Sequence, residues 1–216
     1  EAARSLAPIG PKPPASQYMA VKGCFWPEYP APTASDGFMG TTPGGAQCTA
    51  PLYGLPFGQI VVRALSSAAI GGLQGGINSF RDWGRAWTGS MGAKTADQGP
   101  AQIALADAMV AVDEMKLVIN RNFDQLMAQA KKGGMLELEQ RLHFRYQSAQ
   151  IVERCAKHAY ALFSACGGRG IFNDFPLVRF FLDIHAARGH YANNPDIFGR
   201  NHGGVLLGRD NTDFFI

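Results

Sequence analysis

The residues whose types and spacing can support chemistry are concentrated in residues 176–194, which read PLVRFFLDIHAARGHYANN. On a helix, Arg179, Asp183 and His190 would share one face, because their spacings are i,i+4 and i,i+7. A histidine there titrates near neutral pH and could act as a general base. The alternative is structural: an ion pair, with a histidine that favours the negative end of the helix dipole. Residue types alone favour the structural alternative.

A second candidate site is the glycine-rich segment Gly167–Gly170, which joins two expected helices. Glycine at Gly167 and Gly168 would let backbone amides approach a phosphate group, with Arg169 as its counter-charge. The alternative is an ordinary glycine helix cap followed by a tight turn. The segment is not a dinucleotide-binding fingerprint, because no strand is predicted before it.

The remaining histidines and the cysteines give weaker signals. His143 and His158 are about four helical turns apart, too far to share a metal ion. His202 is expected to be a polar loop residue, and His185 is expected on a different helix face from Asp183. The four cysteines lack CxxC spacing, which argues against zinc and redox sites and favours reduced thiols; they are Cys24, Cys48, Cys155 and Cys166. We predict no metal site.

The elements that must position these residues are mainly helical. Periodicity predicts helices over Gly58–Trp87, Pro100–Lys132, Leu136–Cys166, residues 176–192 and a short segment after Pro195. Asn173 and Asp174 are the cap candidates of the fourth helix. The pairs Gly71-Gly72 and Gly75-Gly76 should cost about 1 kcal/mol per glycine in a helix, so they indicate close packing against another element. The fold class is therefore mainly α, an antiparallel four-helix bundle.

Residues 1–56 have a different character, since they hold ten of the 13 prolines. Ser16–Trp26 is rich in β-forming residues and predicts one strand, which has no evident partner. Residues 30–56 have the composition of a loop. We therefore expect two domains: the end of a β domain with its crossover loop over residues 1–56, and a helical bundle over residues 57–216.

Composition excludes several classes of protein. The 216 residues carry a net charge of +3 and no long basic run, which argues against nucleic-acid binding. No stretch of 18 apolar residues occurs, so we predict no transmembrane helix and no membrane partner. The scattered cysteines fit reduced thiols and therefore predict a cytoplasmic location. Only 17% of residues are charged, below the usual ~25%. This low fraction indicates that another domain or subunit covers part of the surface.

Several phrases stand in an order that resembles one enzyme family. They are SQYMAVKGCFWPEY at 16–29, TAPLYGLPF at 49–57, GGLQG at 71–75, CGG at 166–168, and PLVR at 176–179 followed by Asp183 and His190. This order is similar to that of the two-component flavin-dependent monooxygenases of the acyl-CoA dehydrogenase fold. These include the 4-hydroxyphenylacetate and hydroxylated-secosteroid hydroxylases. The resemblance runs from about residue 9 to the end of the chain.

The resemblance implies an N-terminal helical domain, a β-barrel middle domain and a C-terminal four-helix bundle that assembles a homotetramer. It implies reduced FMN or FAD, not covalently bound, supplied by a separate flavin reductase. O₂ would then form a C4a-hydroperoxide and hydroxylate a small aromatic substrate of the phenol type. By similarity His190 and Asp183 would be catalytic residues, and Gly167, Gly168, Arg169 and Ser16 would contact the flavin.

Two positions depart from the family pattern. Pro14-Ala15-Ser16 stands where Thr-Gly-Ser is usual, and Leu182 replaces a second arginine. The N-terminal domain and most of the barrel are outside this sequence, so this portion is not expected to catalyse alone. Two alternatives stay open: an acyl-CoA dehydrogenase-like oxidoreductase with a glutamate base, and a non-catalytic helical oligomerisation module. The glutamates of the bundle are expected at solvated positions; they are Glu114, Glu137, Glu139 and Glu153.

Overall fold

The structure, a computed structural model, describes residues 47–216 continuously and, before them, residues 2–3, 18–19, 23, 34–39, 42 and 44–45. Two short strands, β1 (Ala2–Ala3) and β2 (Tyr18–Met19), pair antiparallel, with Ala2 opposite Met19. The predicted strand Ser16–Trp26 is confirmed at Tyr18–Met19, and its other residues lie outside the described part. The expectation of an unpaired strand is wrong, because β1 supplies the backbone partner.

A short helix lies in the segment expected to be a loop. Helix α1 spans Ala34–Met39, and a 3₁₀ helix follows at Pro51–Gly54. Asp36 lies in the first turn of α1, where a carboxylate complements the positive end of the helix dipole. Residues 30–56 are therefore not loop throughout.

The remaining chain forms the predicted bundle. Its helices are α2 (Phe57–Ala86), α3 (Gly99–Lys132), α4 (Leu138–Ala165), α5 (Pro176–Arg188) and α6 (Pro195–Leu206). Helices α2 to α5 pack together, and α6 packs against α4. Gln59 bonds to Arg141 and Ser66 to Ser148, so the contacts advance in the same direction along both helices and α2 and α4 run parallel to each other. The mainly α fold and the four-helix bundle are confirmed.

The core lies where the apolar faces of α2 to α5 meet. Its most enclosed side chains include Leu73 on α2, Met115 on α3 and Val152 on α4, none of which exposes measurable surface. Burial of such side chains stabilises the bundle by about 1.5–3 kcal/mol each. The core thereby holds α5, which carries Asp183, in a fixed position against α2 and α4.

The glycines of α2 set how closely α5 approaches. A β-carbon at Gly72 or Gly76 would stand 3.2 Å from Ile184 or Leu177 respectively, both on α5. A β-carbon at Gly75 would overlap the Phe180 ring, with its Cζ only 2.7 Å away. The predicted close packing is confirmed at these three glycines. Gly71 is different, because nothing lies within 4 Å of the corresponding position.

Among the helices of the described residues, α2 alone is long and apolar enough to cross a membrane by length and composition. In the most apolar 18-residue window of α2, 44% is buried inside the structure. The helix packs against α3, α4 and α5, and its buried side chains form part of the bundle core. Its apolar character is thus explained by packing within the protein.

Candidate active site

The turn between α4 and α5 has the predicted glycine cap. Gly167 has φ of +57°, in the left-handed region that favours glycine, and begins a 3₁₀ helix over Gly167–Ile171. Gly168 is outside that region of φ. Both glycines are exposed, and a β-carbon at either would meet no atom within 4 Å. The chain's own packing therefore does not require glycine at 168, and the backbone is open to another molecule.

Arg169 is engaged within the same turn. Its guanidinium lies 2.9 Å from the Asp174 carboxylate and packs over the rings of Phe172 and Phe175. The hydrogen bond from Arg169 is the main reason why the pKa of Asp174 falls below its ordinary value. The prediction that Asn173 or Asp174 caps α5 is wrong, because Phe175 is the N-cap and no side chain caps it. Arg169 consequently has an anionic partner already.

Asp183 forms the expected ion pair on α5. Its carboxylate lies 3.7 Å from Nε of Arg179, in an i,i+4 arrangement. The Arg179 side chain is 82% exposed and that of Asp183 is 27% exposed. An exposed pair of this kind contributes about 0–1 kcal/mol to stability. Asp183 is therefore partly enclosed and keeps an electrostatic partner on its own helix.

His190 does not lie on the α5 face that carries Asp183. Helix α5 ends at Arg188, not near Ala192, and His190 is in an extended conformation with ψ of 137°. The i,i+7 argument fails because helical geometry stops before His190. The ring is exposed, and its Nδ1 accepts a hydrogen bond of 3.1 Å from the Ala192 N–H. The neutral ring must then carry its proton on Nε2.

The candidate residues fall into two separate groups. Arg169 and the two glycines precede α5, whereas His190 follows it. The helix has 13 residues, so about 20 Å separates its ends. Four cavities of the described residues are lined by residues other than Gly167, Gly168, Asp183 and His190. The described chain therefore presents two surfaces and does not close them into one pocket. Ser16 lies outside the described residues.

A polar cleft that the sequence does not reveal lies between α4 and the α5–α6 junction. It encloses about 560 Å³. His185 lines it and stacks on Phe181, and its Nδ1 lies 2.8 Å from the Phe181 carbonyl oxygen. Because a carbonyl oxygen only accepts, Nδ1 carries the proton and the neutral ring leaves Nε2 unprotonated. The ion pair of Arg188 with Glu153 also borders this cleft.

His143 and His202 meet near the N-terminal end of α4. Their ring centroids are 5.3 Å apart, and both rings line a cavity of about 670 Å³. The prediction that His202 is a loop residue is wrong, because α6 contains it. Partial burial and, secondarily, His202 and Arg121 lower the pKa of His143. Within the described residues, no group of three or more His, Cys, Asp or Glu side chains is placed to hold a metal ion.

The two buried cysteines, Cys155 and Cys166, are not a reactive site. Cys48, Cys155 and Cys166 are unpaired, as expected, and Cys24 lies outside the described residues. Burial raises the pKa of both Cys155 and Cys166 to about 12. Their thiols are therefore protonated at neutral pH and serve as small apolar core residues.

The order of the helices and the glycine turn before the short helix α5 are the features by which this chain can be assigned to a class of protein. Residues 64–195 match the family described as acyl-CoA dehydrogenase, C-terminal domain. The match covers more than half of the chain. The chain belongs to this family.

Relatives within the family are flavin-dependent monooxygenases. The chain is 28% identical, over 158 residues, to the oxygenase subunit HsaA of the flavin-dependent monooxygenase from Rhodococcus jostii, covering 72% of this chain and 41% of that protein. It is 26% identical to HsaA from Mycobacterium tuberculosis over 93% of this chain and 52% of that protein. The crystal structure of 3-HSA hydroxylase from Rhodococcus sp. RHA1 matches with a TM-score of 0.76 and 27% identity, over 84% of this chain and 47% of that one. The chain thus spans about half the length of these relatives.

Proposed function

We propose that this chain is the C-terminal part of the oxygenase component of a flavin-dependent aromatic hydroxylase. The observation that carries the proposal is the open glycine turn at Gly167 and Gly168, which precedes a short helix followed by an exposed histidine. The similarity to the HsaA oxygenase subunits supports the same reaction class. The substrate would be a small phenol-type aromatic molecule and O₂ the oxidant.

The residues present are compatible with a flavin. Position 168 holds glycine, although its φ does not require glycine and no atom lies within 4 Å of an added β-carbon. A close approach by another molecule explains that choice, because a side chain would fill the space. Gly167 and Gly168 would make the approach, and Arg169, held by Asp174, would supply positive charge beside it. A bound reduced flavin would supply the electrons that activate O₂ for transfer of one oxygen atom to the ring.

His190 would act on the substrate as a hydrogen-bond donor. The Ala192 N–H points at Nδ1 and holds the proton of the neutral ring on Nε2. Donation from Nε2–H stabilises a phenolate oxygen, which makes the ring more electron-rich toward an electrophilic oxygen. Asp183, on α5, would act on the site through its negative charge. The ion pair with Arg179 would partly neutralise that charge.

The finer details of the proposal follow the resemblance. The cofactor would be FMN or FAD, delivered in its reduced form by a separate reductase, and the enzyme would work in the cytoplasm as a homotetramer. Helix α3 exposes an apolar stripe at i, i+7 and i+14, with Ile103, Val110 and Leu117 each about 60% exposed. Such a stripe supports association with another domain or subunit. A role in binding nucleic acid or membranes is not proposed.

An acyl-CoA dehydrogenase reaction is a weaker candidate. It would need a glutamate base in the bundle, yet no glutamate is buried in the described residues. Glu114 pairs with Arg154, and Glu153 pairs with Arg188. Both glutamates are therefore engaged in ion pairs with arginines of the bundle.

The test of the proposal is anaerobic titration of the intact protein with reduced FMN and with reduced FAD. We expect saturable binding of at least one flavin, and no binding would support a non-catalytic oligomerisation module. Gly168→Leu should weaken binding at least tenfold while the protein stays folded. Gly71→Leu is the matched control, because its position is equally open. If Gly168→Leu binds as tightly as the control, the glycine turn does not contact flavin.

A further inference from the structure

A polar seam runs through the bundle between the parallel helices α2 and α4. Gln59 donates a hydrogen bond of 3.2 Å to the Arg141 carbonyl, and the hydroxyls of Ser66 and Ser148 are 3.0 Å apart. In both pairs the two residues are 82 positions apart in the sequence. The two parallel helices are therefore in constant register, and each seam residue of α2 faces the residue 82 positions later on α4.

The same register sets Arg63 against Arg145. Each residue is only 1% exposed. Burial and, secondarily, the charge of Arg145 lower the pKa of Arg63 to about 10. Burial lowers the pKa of Arg145 to about 10 as well, although Asp213 opposes that change. Both guanidiniums therefore stay charged at neutral pH, so the seam contains two enclosed positive charges.

One carboxylate is available to balance these two charges. Asp213 is 6% exposed and is the single acidic residue among the buried side chains of the described chain. It lies 3.5 Å from Nε of Arg145, and its Oδ1 accepts a hydrogen bond from the Phe215 N–H. Arg63 instead donates from Nη1 to the neutral Gln59 side chain and carbonyl. Among the described residues, the seam is left with one positive charge that no buried carboxylate balances.

The excess charge coincides with donors that lack a protein acceptor. In the described structure, Nε and Nη2 of Arg63 are buried without a hydrogen-bond partner, whereas Nε of Arg145 faces the Asp213 carboxylate. The rings of Phe123 and Phe144 lie 5.8 and 5.6 Å from the Arg63 guanidinium and shield it from water. A buried charge without such partners is strongly unfavourable, which makes this the site where an added anion would stabilise the bundle most.

We propose that the α2–α4 seam binds a small inorganic monoanion, for example chloride, at the Arg63 guanidinium. One negative charge neutralises the seam, and an anion accepts hydrogen bonds from several N–H groups at once. Tightly packed helices favour a monatomic or similarly small ion over a phosphate or an organic acid. The Arg63 guanidinium lies among residues of α2, α3 and α4, away from the glycine turn and from His190, so this site does not depend on the proposed reaction.

The experiment measures unfolding of the intact protein in sodium chloride against sodium gluconate at equal ionic strength. Above the dissociation constant, a tenfold increase in chloride should lower the unfolding equilibrium constant about tenfold, as for one bound ligand. Arg63→Met should abolish this dependence and remain folded, because an apolar side chain of similar length replaces the buried charge. Arg81→Met is the control on the same helix, since Arg81 is partly exposed, and it should retain the dependence.

Anomalous diffraction from crystals grown in sodium bromide locates the ion directly. We expect a bromide peak within hydrogen-bond distance of the Arg63 guanidinium. Density at that position without an anomalous signal identifies a water molecule and overturns the proposal. Equal stability in chloride and gluconate also overturns it, as does chloride dependence that persists in Arg63→Met.

Discussion

The close contact between α2 and α5 makes one substitution especially informative. Gly75→Ala places a β-carbon 2.7 Å from Cζ of Phe180. Overpacking of this kind costs about 1–3 kcal/mol, and the short contact with a rigid ring argues for the upper end of that range. Replacing glycine by alanine in a helix returns about 1 kcal/mol. We therefore expect Gly75→Ala to destabilise the bundle by about 2 kcal/mol.

Gly71→Ala is the matched control on the same helix. Nothing lies within 4 Å of the added carbon, so only the gain in helix propensity remains, and the protein should become about 1 kcal/mol more stable. The two variants should then differ by about 3 kcal/mol, or roughly 6–12 °C in Tm for a chain of this size. Urea unfolding followed by circular dichroism measures the difference.

The double variant Gly75→Ala with Phe180→Leu identifies the cause. Removing the ring should relieve the overlap, so the two changes together should cost clearly less than the sum of the separate changes. The reasoning is refuted if Gly75→Ala is as stable as Gly71→Ala. It is also refuted if the double variant loses as much stability as the two single variants added together. The Phe180 ring would then not be the group that the added β-carbon overlaps.

Three further predictions concern other parts of the bundle. Val110→Glu should lower the oligomer mass in analytical ultracentrifugation by placing a charge in the exposed stripe of α3; an unchanged mass would exclude that stripe as an interface. Asp213→Asn should destabilise the protein by about 3–5 kcal/mol, because it leaves Arg145 without its buried partner, whereas Asp213→Asn combined with Arg145→Met should recover most of this loss. Stability to urea should fall as pH drops through about 6.5, because the pKa of His143 is lower in the folded protein and the unfolded chain therefore binds the proton more readily. The fall should be smaller in His143→Gln. An identical fall in that variant would contradict the assignment to His143.

Helix periodicity and glycine positions predict most of the bundle, because these are local properties of the chain. The predicted bounds of α2, α3 and α4 differ from the structure by no more than two residues. The start of α5 is less predictable. A residue before proline is driven to extended backbone, and Phe175, with ψ of 120°, therefore becomes the N-cap in place of Asp174.

The candidate site is less accessible to sequence reasoning, because it depends on contacts between distant residues. Helical spacing set His190 on the face of Asp183, but α5 ends at Arg188 and the chain turns. The contact of His143 with His202 joins α4 to α6, and no local pattern indicates it. The burial of Arg63 likewise follows from the register of α2 and α4, whereas its charge alone predicts a surface residue.

The coupling of O₂ use to hydroxylation most directly tests the proposed role of this chain. The measurement is the amount of hydroxylated phenol formed per reduced flavin oxidised, in the intact enzyme between pH 6 and 8. His190→Ala should retain flavin binding but give much less product, with the missing oxygen released as hydrogen peroxide. His185→Gln is the control, because His185 lines the polar cleft between α4 and the α5–α6 junction and His190 does not, and it should stay coupled. Unchanged coupling in His190→Ala across this pH range would contradict the account.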